Sequence, residues 1–332
     1  MTVSDAGPTG VYPAITFRFI ENDAGVVFNR FDGGNELIDA FVGGPSVYCV
    51  FSMTQDTIAE PADFNASNSS YLRSLWAGTA TTGAGAGSLT GPDSNGYYTA
   101  TLTGAAVPRS ATQLTCGLGY SYNVSSALPL TQINVAAYPY NPGTKTGGLS
   151  LPAKNVWKVA AGYTGRRGAT SSENQTGQIV TRQRCENCHA QIGVSPSYHA
   201  GQRNDPATCS FCHTQNRTSS GWAAGSGSFI HAIHAAKKRT ISFNWHAVAA
   251  TEDHAWPTGF WGVEYPARLN ACETCHTPGS FDLSGPWYSP QNIAHRLPQT
   301  LATGRYDAVT PTADGGAPAL ALSISPYVVA DG

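Results

Sequence analysis

The sequence predicts two unlike parts. The first is a mainly β N-terminal domain, a sandwich or Greek-key barrel; the second is a C-terminal part with short helices and little regular secondary structure. Three observations predict this. Apolar residues alternate with polar ones at a period of two only in the first 150 residues, all nine histidines lie beyond residue 180, and one five-residue Cys-and-His pattern occurs three times in that same region.

The β reading rests on particular runs. Ile15, Phe17 and Phe19 alternate with Thr16 and Arg18, and Tyr98, Ala100 and Leu102 alternate with Thr99, Thr101 and Thr103. Leu114, Cys116, Leu118, Tyr120, Tyr122 and Val124 keep the same period over eleven residues. Such alternation puts one face on a core and the other in water. Turn-rich stretches separate the runs, as at Asp32-Gly33-Gly34-Asn35 and Gly91-Pro92-Asp93-Ser94-Asn95-Gly96. Cys116 falls on the apolar face of its run and Cys49 shares a face with Val47 and Phe51. A disulfide between them is therefore expected, worth roughly 4 kcal/mol by loop closure. The alternative is two buried free thiols.

The repeated pattern is Cys185-Glu186-Asn187-Cys188-His189, Cys209-Ser210-Phe211-Cys212-His213 and Cys272-Glu273-Thr274-Cys275-His276. C-x-x-C-H is the attachment sequence of c-type haem. Two thiols three positions apart reach the two vinyl groups of a porphyrin as thioethers, and the adjacent His binds the iron from below. Paired C-x-x-C units also build zinc sites, but zinc does not require a His after every second Cys. A thioredoxin-like redox motif would be single and would follow a strand. Three covalently bound haem c groups are expected, on Cys185, Cys188, Cys209, Cys212, Cys272 and Cys275, with His189, His213 and His276 as proximal ligands. The C-terminal part thus reads as a multihaem cytochrome domain, its core supplied largely by porphyrin.

The sixth coordination position separates carriers from enzymes. Only Met1 and Met53 are present, both far from the motifs, so methionine ligation is not expected. Six histidines remain. His199 lies between the first two motifs, and His231 and His234 share one side of an expected helix at spacing i, i+3. These three are the expected distal ligands. His246, His254 and His295 are ranked below them, as packed or exposed rings or as ligands to a neighbouring chain. With both axial positions filled by histidine, no site remains open for substrate, and metal-site catalysis needs one. Electron transfer is the expected role.

The organisation expected is residues 1–150 as the β domain, 151–180 as a connector with a strand at Asn155–Val159, and 181–332 as the triheme domain with an extended tail from Thr310. Trp222, Trp245, Trp256, Trp261, Phe243, Phe260 and Tyr265 read as packing against haem faces. Charged residues make up only 12%, about half of the ~25% of ordinary domains, and net charge is −2. No basic stripe meets nucleic acid, and no run of 18 apolar residues spans a membrane as a helix. Met1–Asp5 has neither a basic n-region nor an apolar h-region, so with covalent haem the chain reads as the mature or trimmed form of an exported protein. Sequons at Asn65, Asn68, Asn123, Asn174 and Asn216 are expected mostly by chance in a chain this rich in Asn, Ser and Thr.

The order of elements also carries a resemblance. Motif one, His199, motif two, Phe229-Ile230-His231-Ala232-Ile233-His234-Ala235, then Val263-Glu264-Tyr265-Pro266 before Asn270-Ala271 and motif three with Thr277-Pro278-Gly279 resembles the outer-surface decahaem cytochromes of metal-reducing bacteria, the OmcA/MtrC type. The resemblance implies alternating β-barrel and pentahaem domains that pass electrons across the cell surface to minerals, shuttles or partner proteins. Residues 1–150 would match a β domain and 180–332 the first part of a haem domain. This chain departs in having three motifs rather than ten. Where the family places another Cys pair after an Ile-Ser-Pro element, it has Ile324-Ser325-Pro326-Tyr327-Val328-Val329 and no further pair. Other cytochromes, an extracellular electron acceptor, or copies of the chain in a conductive filament are the expected partners. A multihaem reductase with one open haem site, and a structural or adhesive surface module with auxiliary haems, are the alternatives.

Overall fold

The computed structural model describes residues 1–21, 26–28, 41–43, 45–55, 59–61, 63–70, 72, 75, 85–104, 106–119, 121–124, 140–141, 146–147, 149–152, 154–166, 179–190, 192–193, 199, 203–214, 217–219, 222–238, 263–278, 304–305 and 323–324. His246, His254 and His295, the Asp32–Asn35 turn and most of the tail from Thr310 lie outside them.

Among the described residues, eight strands build the two large sheets of the N-terminal domain: β1 (Thr2–Asp5), β2 (Val11–Phe17), β3 (Ser46–Ser52), β4 (Ala66–Ser70), β5 (Gly87–Thr90), β6 (Tyr98–Leu102), β7 (Gln113–Gly119) and β8 (Val156–Val159). They form two antiparallel four-stranded sheets, ordered β1-β2-β6-β5 and β8-β7-β3-β4. Ile15, Phe17, Tyr98, Ala100 and Leu102 of the first sheet share one core with Val47, Cys49, Phe51, Leu114, Cys116 and Leu118 of the second. Two sheets closed over a common apolar layer make a sandwich, as the alternating runs predict. The β6 pattern is the plainest case, with Tyr98, Ala100 and Leu102 buried and the two threonines between them half-exposed.

Cys49 and Cys116 stand directly opposite each other in the β3–β7 register and are joined by a disulfide, with Cα atoms 4.0 Å apart. The bridge ties the two central strands of the second sheet from the core side. Both sulfur-bearing residues are buried in the apolar layer, where a free thiol would add far less.

Two features differ from the alternation read in the sequence. The eleven-residue run that begins at Leu114 is not one strand in one sheet. It continues past Gly119 as Ser121–Val124, which pairs with Phe41–Gly43 and Leu149–Pro152 in a separate three-stranded sheet. Further, β7 is buried on both faces. Its second face does not meet water because part of the cysteine-rich segment covers it. The strand expected in the connector is present as β8, and it pairs with β7 through Thr115↔Val159 to Leu118↔Val156.

The disulfide yields a measurable expectation. Replacing both partners, Cys49→Ala with Cys116→Ala, lowers unfolding stability by about 4 kcal/mol, read as a reduced midpoint in denaturant titration monitored by far-ultraviolet circular dichroism.

Candidate haem-attachment site

Each Cys-x-x-Cys-His segment folds into a single turn with the same hydrogen bonds. In the first, short helix α1 (Arg182–Glu186) runs into the motif, and Cys188 and His189 N–H donate to Cys185 O at 3.1 and 2.9 Å. In the second, α2 (Pro206–Cys209) starts with Pro at its first turn, and Asp205 Oδ1 caps it by accepting from Ala207 N–H at 2.9 Å. Cys212 and His213 then donate to Cys209 O at 3.3 and 2.9 Å. In the third, a 3₁₀ turn at Cys272–Thr274 leads to Cys275 and His276 donating to Cys272 O at 3.1 and 2.8 Å. A turn closed in this way brings both sulfurs to one side and turns the histidine beneath them.

The three turns are tied to one another. The third joins the strand-like segment before the first, with a Val180↔His276 bridge and Thr277 N–H on Ile179 O at 2.8 Å. Arg184 Nη1 donates to Glu273 O. Burial pushes the Cys185 thiol up to about 12, and Cys209 and Cys275 add to the rise, so the first motif lies within electrostatic reach of both others. Cys209 is likewise pushed up to about 12 by burial, and Cys212 is raised by burial. An environment that disfavours thiolate disfavours a zinc site, whose ligand is the thiolate, whereas an uncharged thioether fits it.

Helix α3 (Ser226–His234) supplies two further imidazoles. Its residues 231 and 234 are separated by about 60° around the axis, and they meet different partners. The His231 ring lies 5.9 Å from that of His276, with planes 24° apart. The His234 ring lies 6.2 Å from that of His189, with planes 81° apart. His199, from the segment between the first two motifs, lies 6.4 Å from His213 at 51°. His199 is also the one non-glycine with positive φ among the described residues, at 52°. A left-handed histidine costs about 1 kcal/mol or more and is held only where its surroundings demand it.

These distances test the fit of a haem iron. Two metal–imidazole bonds of about 2 Å, plus about 1 Å from each nitrogen to its ring centre, separate the centres by about 6 Å. All three pairs fit one iron between them. The ring nitrogens agree: His213 Nδ1 lies 2.8 Å from Ala224 O and His234 Nδ1 lies 2.8 Å from Ile230 O. With Nδ1–H donating to a carbonyl, Nε2 is the lone-pair nitrogen left for a metal. Burial lowers the pKa of His189, His199 and His231, favouring the neutral ring that a metal needs. Among the described residues no group of three or more His, Cys, Asp or Glu side chains gathers as a metal cluster, so the donors stand as pairs.

The second motif is seated on the β domain. Phe211, its second intervening residue, is 2% exposed and packs with Val50, Phe64, Tyr48 and Trp157 on the outer face of the second sheet. Its ring occupies the space beside Gly117 that a side chain would fill; a Cβ there would lie 2.2 Å from Phe211 Cε2. Asn155, just before β8, and Asn204 exchange hydrogen bonds, each backbone N–H donating to the other's Oδ1 at 2.9 and 2.7 Å. Thr208 Oγ1 adds a third bond to Asn155 Oδ1 at 3.3 Å. Tyr265 links the third motif to helix α3, its hydroxyl 3.9 Å from Cys275 Sγ and its ring 5.8 Å from that of His234.

Comparison with known families bears on this segment. Residues 177–313 match the family model of outer membrane cytochromes, MtrC/MtrF-like, domains II/IV. The match supports the OmcA/MtrC-type resemblance over the stretch that carries all three motifs. No curated protein matches the chain.

Sequence reasoning overlooked the seat. Phe211 was readable only as an intervening residue, and the signal that would have singled it out is Gly117, a small residue on an otherwise apolar strand. Phe211→Ala lowers stability by about 3–5 kcal/mol. Gly117→Ala costs about 1–3 kcal/mol by forcing the Phe211 ring out of place. Thermal unfolding of the two variants against the parent chain measures both.

Proposed function

We propose that this chain is a c-type cytochrome holding three covalently bound haem c groups, and that it carries electrons outside the cell rather than transforming a substrate. The thioether anchors are Cys185/Cys188, Cys209/Cys212 and Cys272/Cys275. The axial pairs are His189 with His234, His213 with His199 and His276 with His231. One observation carries the reading: every motif histidine faces a histidine from elsewhere in the chain at 5.9 to 6.4 Å between ring centres.

The bound haem iron supplies one-electron chemistry between its ferric and ferrous states. The chain's residues hold it. Two imidazoles would hold each iron, and would leave no coordination site for a substrate. The Ala224 and Ile230 carbonyls fix the ring orientation of His213 and His234. The Val180↔His276 bridge and the Arg184 bond to Glu273 O tie the first motif to the third.

A cell-surface or extracellular location follows the outer membrane family matched by residues 177–313. Among the described residues no helix is long and apolar enough to cross a membrane. Partners are other cytochromes and an extracellular acceptor. Self-assembly into a filament is the finer form of the reading and is supported by the low charged fraction, 12%; electron microscopy of the purified protein shows filaments if it holds and discrete particles if it fails.

Pyridine haemochrome assay and intact mass are expected to give three haems per chain, and their absence ends the proposal. Electron paramagnetic resonance of the oxidised protein is expected to show low-spin iron only. A native high-spin component would favour the reductase reading instead. Near-perpendicular axial rings leave the iron dπ orbitals almost degenerate, so the 81° pair gives a strongly anisotropic signal and the 24° pair a rhombic one. His234→Ala removes the former and adds a high-spin signal, while His231→Ala does the same to the latter.

A further inference from the structure

Between His199 and the second motif lies Arg203, a guanidinium almost wholly withdrawn from water, at 8% exposure. The β domain holds it. Its Cζ stands 3.9 Å from the ring centre of Tyr48, and its Nη2 donates to Ser46 Oγ at 3.4 Å, both residues of β3. It shares one wall with Thr208, Phe211 and Gly117. Its backbone is fixed as well: the Gly193 α-carbon approaches so closely that a Cβ there would lie 2.2 Å from Arg203 O, at φ +80°.

That wall sets the guanidinium beside Phe211, the residue that lies between Cys209 and Cys212, and Tyr48 packs against both. Arg203 thus stands between the proposed ligand His199 and the turn that carries the second pair of cysteines. A buried charge is poorly screened by salt and acts in a low dielectric.

We propose that Arg203 sets the potential of the haem ligated by His213 and His199, stabilising its ferrous state, so that the β domain tunes the centre it seats. Removing an electron from iron adds positive charge, which a fixed neighbouring cation opposes. The effect lies in Arg203 as a charge held by Ser46 and Tyr48, beyond the packing it provides. The inference rests on the three-haem reading above.

The test is a spectroelectrochemical titration of the full haem-loaded chain, followed by electron paramagnetic resonance, in Arg203→Gln, Arg203→Lys and Ser46→Asp. The signal of the relevant centre is assigned by its conversion to high spin in His199→Ala. In Arg203→Gln the ferrous-to-ferric ratio of that centre at fixed potential is expected to fall about tenfold, a shift of about 59 mV to lower potential. The other two centres move less. Arg203→Lys keeps most of the parent value. Ser46→Asp, which sets a carboxylate against the retained guanidinium, shifts the centre in the same direction as Arg203→Gln. Unchanged potentials in Arg203→Gln, or an equal shift in Arg203→Lys, overturn the proposal. If Arg203→Gln does not fold, an unshifted Ser46→Asp overturns it and a lowered one supports it. A protein without haem fails the assay before any titration, which separates the failure of the cytochrome reading from the failure of this one.

Discussion

The seating of Phe211 against Gly117 is the contact from which the arrangement of the site follows. Cys209 lies two residues before Phe211 and Cys212 one after it, so fixing the ring fixes that turn against the second sheet. Full burial of a phenylalanine side chain is worth about 1.5–3 kcal/mol, and the glycine is what makes room for it. The Asn155–Asn204 exchange completes the seat by supplying acceptors for two buried backbone N–H groups, either of which would cost about 1–3 kcal/mol if left unsatisfied. A β sheet is a stiff support, and a site carried on stiff elements keeps its geometry. The disulfide on the opposite face of the same strand pair, at Cys49 and Cys116, stiffens that support further.

From this seat the remaining geometry is relayed by short links. Helix α3 begins where the second motif's imidazole ends, since Ser226 N–H donates to His213 O at 2.8 Å and Phe229 stacks on the His213 ring at 4.2 Å. Five and eight residues after Ser226, the same helix presents His231 and His234 to the third and first motifs. One rigid helix therefore touches all three proposed centres. A helix is suited to this, because an offset of three residues separates two side chains by enough angle to address two metals while keeping them about one turn apart. Lys237, just past its end, closes onto Glu264 by an ion pair and onto Val263 O by its backbone N–H at 3.1 Å. These bonds hold the approach to the third motif and to Tyr265.

How much of this was legible in sequence depends on whether the signal is local. The attachment turns are: five consecutive residues dictate both spacing and hydrogen bonding. The sandwich is nearly so, because Tyr98-Thr99-Ala100-Thr101-Leu102 announces which face goes inward. The disulfide was readable from faces alone, since Cys49 and Cys116 each fell on the apolar side of their run. The choice of partner for each imidazole was not, because His189 meets His234 across 45 residues of sequence and no periodicity encodes that. The double burial of β7 was also hidden. Alternation predicts water on the second face unless something large arrives from a distant segment, and part of what arrives here is the Phe211 ring from inside a Cys-x-x-Cys-His turn. Asn155 reads only as the start of the connector strand, and nothing local in the sequence marks its pairing with Asn204.

Charge completes the physical picture. The chain carries few charged residues, so the field at the proposed metal centres is set less by a crowded ionic surface than by a small number of groups inside. Two of these, Arg203 and Asp205, lie two residues apart and are 8% and 3% exposed. Their reach differs but overlaps at Cys209. The guanidinium is felt at His199, Cys209 and Cys212, whereas the carboxylate is felt at Cys185 and Cys209. Burial raises the Asp205 pKa, and the Ala207 N–H with the charges of Lys154 and Arg182 restrains that rise and favours the ionised form. On the three-haem reading, an opposed pair of buried charges between the first and second motifs would make two centres with the same ligands unequal. Electrons moving through identical ligand sets need some such asymmetry to prefer a direction, and on that reading the polypeptide rather than the axial ligand would supply it.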